Sequence, residues 1–163
     1  MPRGAAGEAA VGYGRGYTLF ELMATLVIAG IAMSIAVPSM DGMLRRERVR
    51  AAMNRLAGDL EYTRMAAVRN GRATVMRFTP GPGCPRPGGT GYRIGLKGTA
   101  TVLREWHAVD GVAVCFVTNN ADSLVYNSRG LLAPFNNRTI RGVLGTARDS
   151  LTISVAGRIY RRF

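Results

Sequence analysis

The sequence predicts an α+β protein: one long N-terminal helix whose second half packs on an antiparallel β-sheet domain. Three observations predict it. Residues 17 to 40 are apolar apart from a single charge, Glu21. From 41 to 69 the apolar residues recur at helical spacing. Beyond Gly71 they alternate with period two. A helix followed by a run of strands buries both when the strands form a sheet and the helix lies on it.

The first stretch is long enough for a bilayer. About 20 apolar residues in a helix cross a hydrocarbon core of roughly 30 Å, and residues 17 to 40 reach that length. Pro38 removes one backbone donor and Gly42 is flexible, so a bend or local melting is expected at 38 to 42. Further on, Val49, Met53, Leu56, Leu60 and Ala67 fall on one helical face. Arg45, Arg46, Arg48, Arg50, Asp59 and Arg64 lie mostly elsewhere, and Asn70-Gly71 stops the helix. The expected organisation is a leader at 1–16, an apolar helical half at 17–40, an amphipathic half at 41–70 and a β-rich domain at 71–163.

The strands follow in order. Thr74, Met76 and Phe78 form one face of the first. Residues 80 to 91 carry four prolines and five glycines and read as a loop that Cys84 anchors. Tyr92, Ile94 and Leu96 share a face, and 101 to 106 is a further strand. Val112, Val114 and Phe116 alternate, and Leu124 and Tyr126 mark a short strand. Residues 128 to 138 read as a loop, and Ile140, Val143 and Leu144 fit no single period. Leu151, Ile153 and Val155 alternate, and Ala156-Gly157 turns the chain into a last strand, Arg158 to Phe163. On that strand Arg158, Tyr160 and Arg162 point one way, and Ile159 and Arg161 the other.

Glu21 is costly inside an apolar helix and needs a partner. Cleavage after Gly16 would place a new amine at Tyr17, one helical turn away, on the same chain or a neighbour. Gly16 followed by Tyr17-Thr18-Leu19-Phe20-Glu21-Leu22-Met23 resembles the signal of type IV pilins and type II secretion pseudopilins. The resemblance implies that a prepilin peptidase cuts after Gly16 and methylates Tyr17. It makes Glu21 the fifth mature residue, the assembly glutamate, and puts Pro38 at the family's usual proline. Tyr17 departs from the commoner phenylalanine. The strand-rich remainder, ending in Thr-Ile-Ser and Gly157-Arg158, resembles the FimT and GspH group of minor pilins and pseudopilins.

Charge and chemistry narrow the function. The chain carries 22 basic residues against 10 acidic ones, a net +12, and Lys97 is its single lysine. Such an excess favours anionic partners. Cys84 and Cys115 suggest one disulfide in an oxidising compartment, with two free thiols as the alternative. With the single His107 they make a poor metal set, so no metal or cofactor is expected. His107, Asp110 and Ser128 lack any nucleophile motif, and no enzymatic activity or small-molecule substrate is expected.

The C-terminal arginines remain. Seven arginines and one acid, Asp149, lie between Ser123 and Phe163. Arginines neutralise phosphates without regard to sequence, and aromatics stack on unpaired bases. The plainer reading is an edge strand protected by charge. Gly157-Arg158-Ile159-Tyr160-Arg161-Arg162 is similar to the Gly-Arg-x-Arg segment with which FimT-type pilins bind DNA, with one extra residue. That resemblance implies a DNA-binding set of Arg158, Tyr160, Arg161 and Arg162, to which Arg138 and Arg141 are added. The expected protein is a minor pilin, held in the inner membrane with its domain in the periplasm and then built into a fibre with other pilins, that binds DNA for uptake. The alternative is a GspH-like pseudopilin of type II secretion with no DNA binding.

Overall fold

A computed structural model describes residues 16–107 and 113–162, with the side chains of 35–39 and of Arg162 outside that description. It divides into two units, Met1–Ser39 and Met40–Phe163. The helix α1 is Leu19–Arg69. Thr18 caps it: its Oγ1 accepts from the Glu21 backbone N–H at 3.2 Å. The helical pairing continues through Pro38 and Gly42, so the expected local melting does not occur. A single missing donor leaves the flanking turns bonded. At the far end the Asn70 side chain donates to the Ala66 carbonyl at 2.7 Å, and Gly71 takes φ 59°, which ends the helix.

Ten strands follow among the described residues: β1 Thr74–Thr79, β2 Gly88–Gly89, β3 Gly91–Leu96, β4 Val102–His107, β5 Cys115–Thr118, β6 Ser123–Tyr126, β7 Leu132–Ala133, β8 Arg138–Leu144, β9 Ala147–Ile153 and β10 Ile159–Arg162. They pair antiparallel in two five-stranded sheets. The first has the order β4-β3-β1-β6-β7, the second β10-β9-β8-β5-β2. The alternation foreseen for Met76 and Phe78, Tyr92 and Ile94, and Leu124 and Tyr126 places each pair in the core. β7 lies inside the stretch read as a loop, because Leu132 is its one buried apolar residue and a single residue has no period. β8 was illegible because Gly142 occupies an inward position where a side chain was awaited. A Cβ there would meet the Met53 sulfur at 2.7 Å, so the helix packs against bare backbone.

Within the second unit Val49, Met53, Leu56, Leu60 and Ala67 are all buried. They meet Phe78, Tyr92, Phe116, Ile140, Leu151 and Ile153 from the two sheets. Each such aliphatic or aromatic side chain contributes roughly 1.5–3 kcal/mol by leaving water. Tyr92 stands at the centre, edge-on to Phe78 at 6.3 Å and to Phe116 at 5.9 Å. Its hydroxyl donates to the buried Asp59 carboxylate at 2.6 Å. Arg104 of β4 reaches the other carboxylate oxygen and lies 4.5 Å over the Tyr62 ring. Burial, then the Asp59 bond, hold the Tyr92 hydroxyl protonated far above the ordinary tyrosine range. Cys84 and Cys115 are bonded, which ties the 80–87 loop to β5.

Candidate nucleic-acid interface

Strand register decides which arginines can act together. Residues paired across a sheet share a face. Tyr160, Thr152 and Thr139 form one such row, and positions 162, 150 and 141 the next. Arg148 opposes Val143 one row further on. Arg158 precedes β10 across from Ser154, whose N–H donates to its carbonyl at 2.9 Å. This outer face of the second sheet therefore carries Arg141, Arg148 and Arg158, all exposed, the half-exposed Tyr160, and the register position of Arg162. With strands about 4.8 Å apart and alternate residues about 6.7 Å apart, the patch measures roughly 10 Å by 20 Å. Ser150, Thr139 and Thr152 add hydroxyls between the cations.

The same register removes two residues from the predicted set. Arg161 pairs with Leu151 in the core-facing row. Its Nε donates to Asp149 Oδ2 at 3.1 Å, and its other nitrogens reach Asp149 and Asn54 of α1. It fastens the edge strand to the helix. Arg138 faces inward with Ile140 and is 7% exposed, with Nη1 lacking a hydrogen-bond partner. Neither can reach a nucleic acid lying on the outer face. Arg148 belongs to that face but was missed. Its alternation with Ser150 and Thr152 on the strand running to Ile153 was the signal that finds it.

The turn that presents β10 depends on Gly157, with φ 74° and no room for a Cβ, which would lie 2.8 Å from the Gly130 carbonyl oxygen. The only acid of β8, β9 and β10, Asp149, faces inward onto Arg161. The outer face is thus uniformly cationic.

The remaining predicted site residues are dispersed. Asp110 and Val112 lie outside the described residues, as does the leader 1–15. His107 Nε2 stands 2.8 Å from Glu105 Oε1, and hydrogen bonds from Arg93 and then His107 hold that carboxyl below its ordinary range. Among the described residues no group of three His, Cys, Asp or Glu side chains stands ready for a metal. Gly16 and Tyr17 precede the helix, and Glu21 is in its first turn. Around Glu21 the apolar side chains Leu19, Phe20, Leu22, Leu26, Val27 and Ile28 are exposed. Among the described residues no helix is long and apolar enough to cross a membrane.

Residues 52–157 match the model of the family described as type II transport protein GspH. The chain belongs to the GspH family. The prokaryotic N-terminal methylation motif matches residues 13–37. Two solved structures are similar, both of the type IV minor pilin FimU of Pseudomonas aeruginosa strain PAO1. One crystal form aligns at 25% identity and TM-score 0.61, over 72% of this chain and 90% of that one. The other aligns at 26% and 0.57, over 70% and 92%. No curated protein matches. This GspH-family chain is a minor pilin or pseudopilin, a structural component and not an enzyme, with the α+β fold of FimU.

Proposed function

We propose that the chain is a minor type IV pilin that binds DNA without sequence preference through the outer face of its second sheet. The observation that carries this reading is the register that collects Arg141, Arg148 and Arg158 on one acid-free face. Such a face neutralises phosphates but offers no helix to the major groove, so it reads no bases. In this reading residues 17–40 hold the protein in the inner membrane with the domain in the periplasm. The apolar sequence and the exposed apolar side chains from Leu19 to Met33 support that anchoring. A prepilin peptidase cuts after Gly16, Tyr17 is methylated, and Glu21 meets an amine when the helix docks among other pilins in the fibre, in or near its tip. Pro38 and Gly42 provide the bend that docking uses.

A second reading is favoured by the description of the matched family: a type II secretion pseudopilin with a structural role at the tip and no nucleic acid. Titration of duplex DNA against the full chain in detergent micelles, from low to moderate salt, separates them. Binding at about 50 mM salt that falls steeply by about 200 mM supports the pilin reading. No binding at the lower salt leaves the secretion reading.

A further inference from the structure

The first sheet also has an outer face, and the charge pattern there points to a different partner. We propose that this face holds an extended acidic segment of another protein, in a groove under the β3–β4 turn. The groove encloses about 550 Å³, within the range of ligand sites. Two rows of paired residues make its floor. Gly95, Val75 and Val125 form one row, and Arg93, Arg77 and Ser123 the next. Lys97 on the turn forms a wall, and no acid lines the groove.

Arg77 and Arg93 stand directly opposite each other, an arrangement that destabilises a sheet unless an anion intervenes. Glu105 of β4 neutralises Arg93 from the outer side at 2.6 Å. Arg77 and Lys97, both exposed, have no ion pair among the described residues. The groove thus presents two uncompensated cations beside a strip of small apolar residues. Val75 and Arg77 are two residues apart on β1, about 6.7 Å. An extended peptide repeats its side chains at the same interval. One that puts a carboxylate over Arg77 puts the residue two places along over Val75, so the groove reads an acid, any residue, then an aliphatic.

Nucleic acid fits less well, because the one aromatic of the lining, Phe78, is buried and unable to stack on a base. A second copy of this chain fits less well because its acids number 10 against 22 bases and those of its sheets are already engaged.

The test uses the full chain in detergent micelles and the peptide Ser-Glu-Ser-Val-Ser, blocked at both ends, with a benzophenone photo-crosslinker at its N-terminus. Mass mapping of the adducts should place them on the β3–β4 turn, Leu96 to Val102, or on Val75 and Val125. Replacing the peptide's glutamate by glutamine should lower labelling about tenfold, the worth of one charge-assisted contact. Arg77→Gln and, separately, Lys97→Gln should each do the same. Both side chains are exposed, and unchanged circular dichroism shows that the fold survives. Replacing Arg141, Arg148 and Arg158 should leave labelling unchanged, so failure of the DNA reading is distinguishable. Adducts elsewhere, equal labelling by the glutamine peptide, or equal labelling of both variants overturns the proposal. Self-association of the chain that Arg77→Glu abolishes overturns it in favour of a second copy, and single-stranded DNA that competes with the peptide at this groove overturns it in favour of nucleic acid.

Discussion

Replacing Arg141, Arg148 and Arg158 together by glutamine should flatten the salt dependence of DNA binding, while Arg161→Gln should leave it alone. The two perturbations differ in which side of the sheet they touch. Each outward arginine that neutralises one phosphate contributes about −0.9 to the slope of log affinity against log salt. Three such contacts sum to about −2.7, and a fourfold rise in salt, from about 50 to 200 mM, then costs the parent about 40-fold that the triple variant does not lose. Arg161 contributes stability instead. Its guanidinium and the Asp149 carboxylate are 20% and 13% exposed as side chains. Leaving that carboxylate unpaired costs about 1–3 kcal/mol, several degrees of melting temperature in a chain of this size. Fluorescence anisotropy with a short labelled duplex gives the slopes, and urea unfolding gives the stabilities. If Arg161→Gln flattens the slope and the triple variant keeps it, the face has been assigned to the wrong side of the sheet.

Three other outcomes are expected. Asp59→Ala should destabilise the domain by about 2–4 kcal/mol, since the Tyr92 hydroxyl is left buried and unpaired and Arg104 loses its anchor; an unchanged urea midpoint would show that the network is incidental. Stability should fall as pH rises above about 10, because unfolded tyrosines ionise there while burial keeps Tyr92 protonated and pushes Tyr126 up to about 12. The folded state then binds more protons, which costs up to about 1.4 kcal/mol per pH unit for each residue, with the Tyr126 share complete above about pH 12. Tyr126→Phe should remove that share and leave neutral-pH stability unchanged or higher, since the hydroxyl is buried without a hydrogen-bond partner; a large loss in chemical denaturation would contradict it. Glu21→Ala should leave the protein membrane-bound but poorly incorporated into fibres, as judged by immunoblots of sheared fibres and membranes; normal incorporation would mean that Glu21 pairs with nothing in assembly.

The helix was legible almost to its ends because period and terminator agree. Val49 through Ala67 mark one face and Asn70-Gly71 can stop it, whereas the Thr18 cap shows only in the structure. Strands with two or three alternating apolar residues were legible for the same reason. What the sequence hid was whatever depends on a partner strand. β7 exists because Tyr126 pairs with Leu132, and β8 tolerates Gly142 because Met53 fills the space. The basic face had the same weakness. Alternation along the last strand separated Arg158 from Arg161 correctly, but nothing local says which of the two sides is outside. That follows only once Leu151 and Ile153 commit β9 to the core and β10 takes its register from them.

Composition alone gives an excess of arginine; the fold converts that excess into faces. The acids near the sheets are already engaged with partners in the domain. Asp59 holds Tyr92 and Arg104. Asp122 accepts the Gly88 N–H at 2.6 Å, Asp149 holds Arg161, and Glu105 holds Arg93. Each is thereby committed to one partner and leaves the other arginines of the sheets uncompensated by it. Two sheet faces are left with uncompensated cations of different kinds. In the proposed reading the second sheet, with arginines at strand spacing among hydroxyls and Val117 and Val143 beside them, suits a stiff polyanion. The first has a narrower groove with valines between its cations, which suits a flexible chain with few charges. The groove under the β3–β4 turn offers a duplex only two uncompensated cations, and a peptide with one carboxylate meets few of the second sheet's arginines. The two surfaces should therefore bind independently, and loss of either function should leave the other intact.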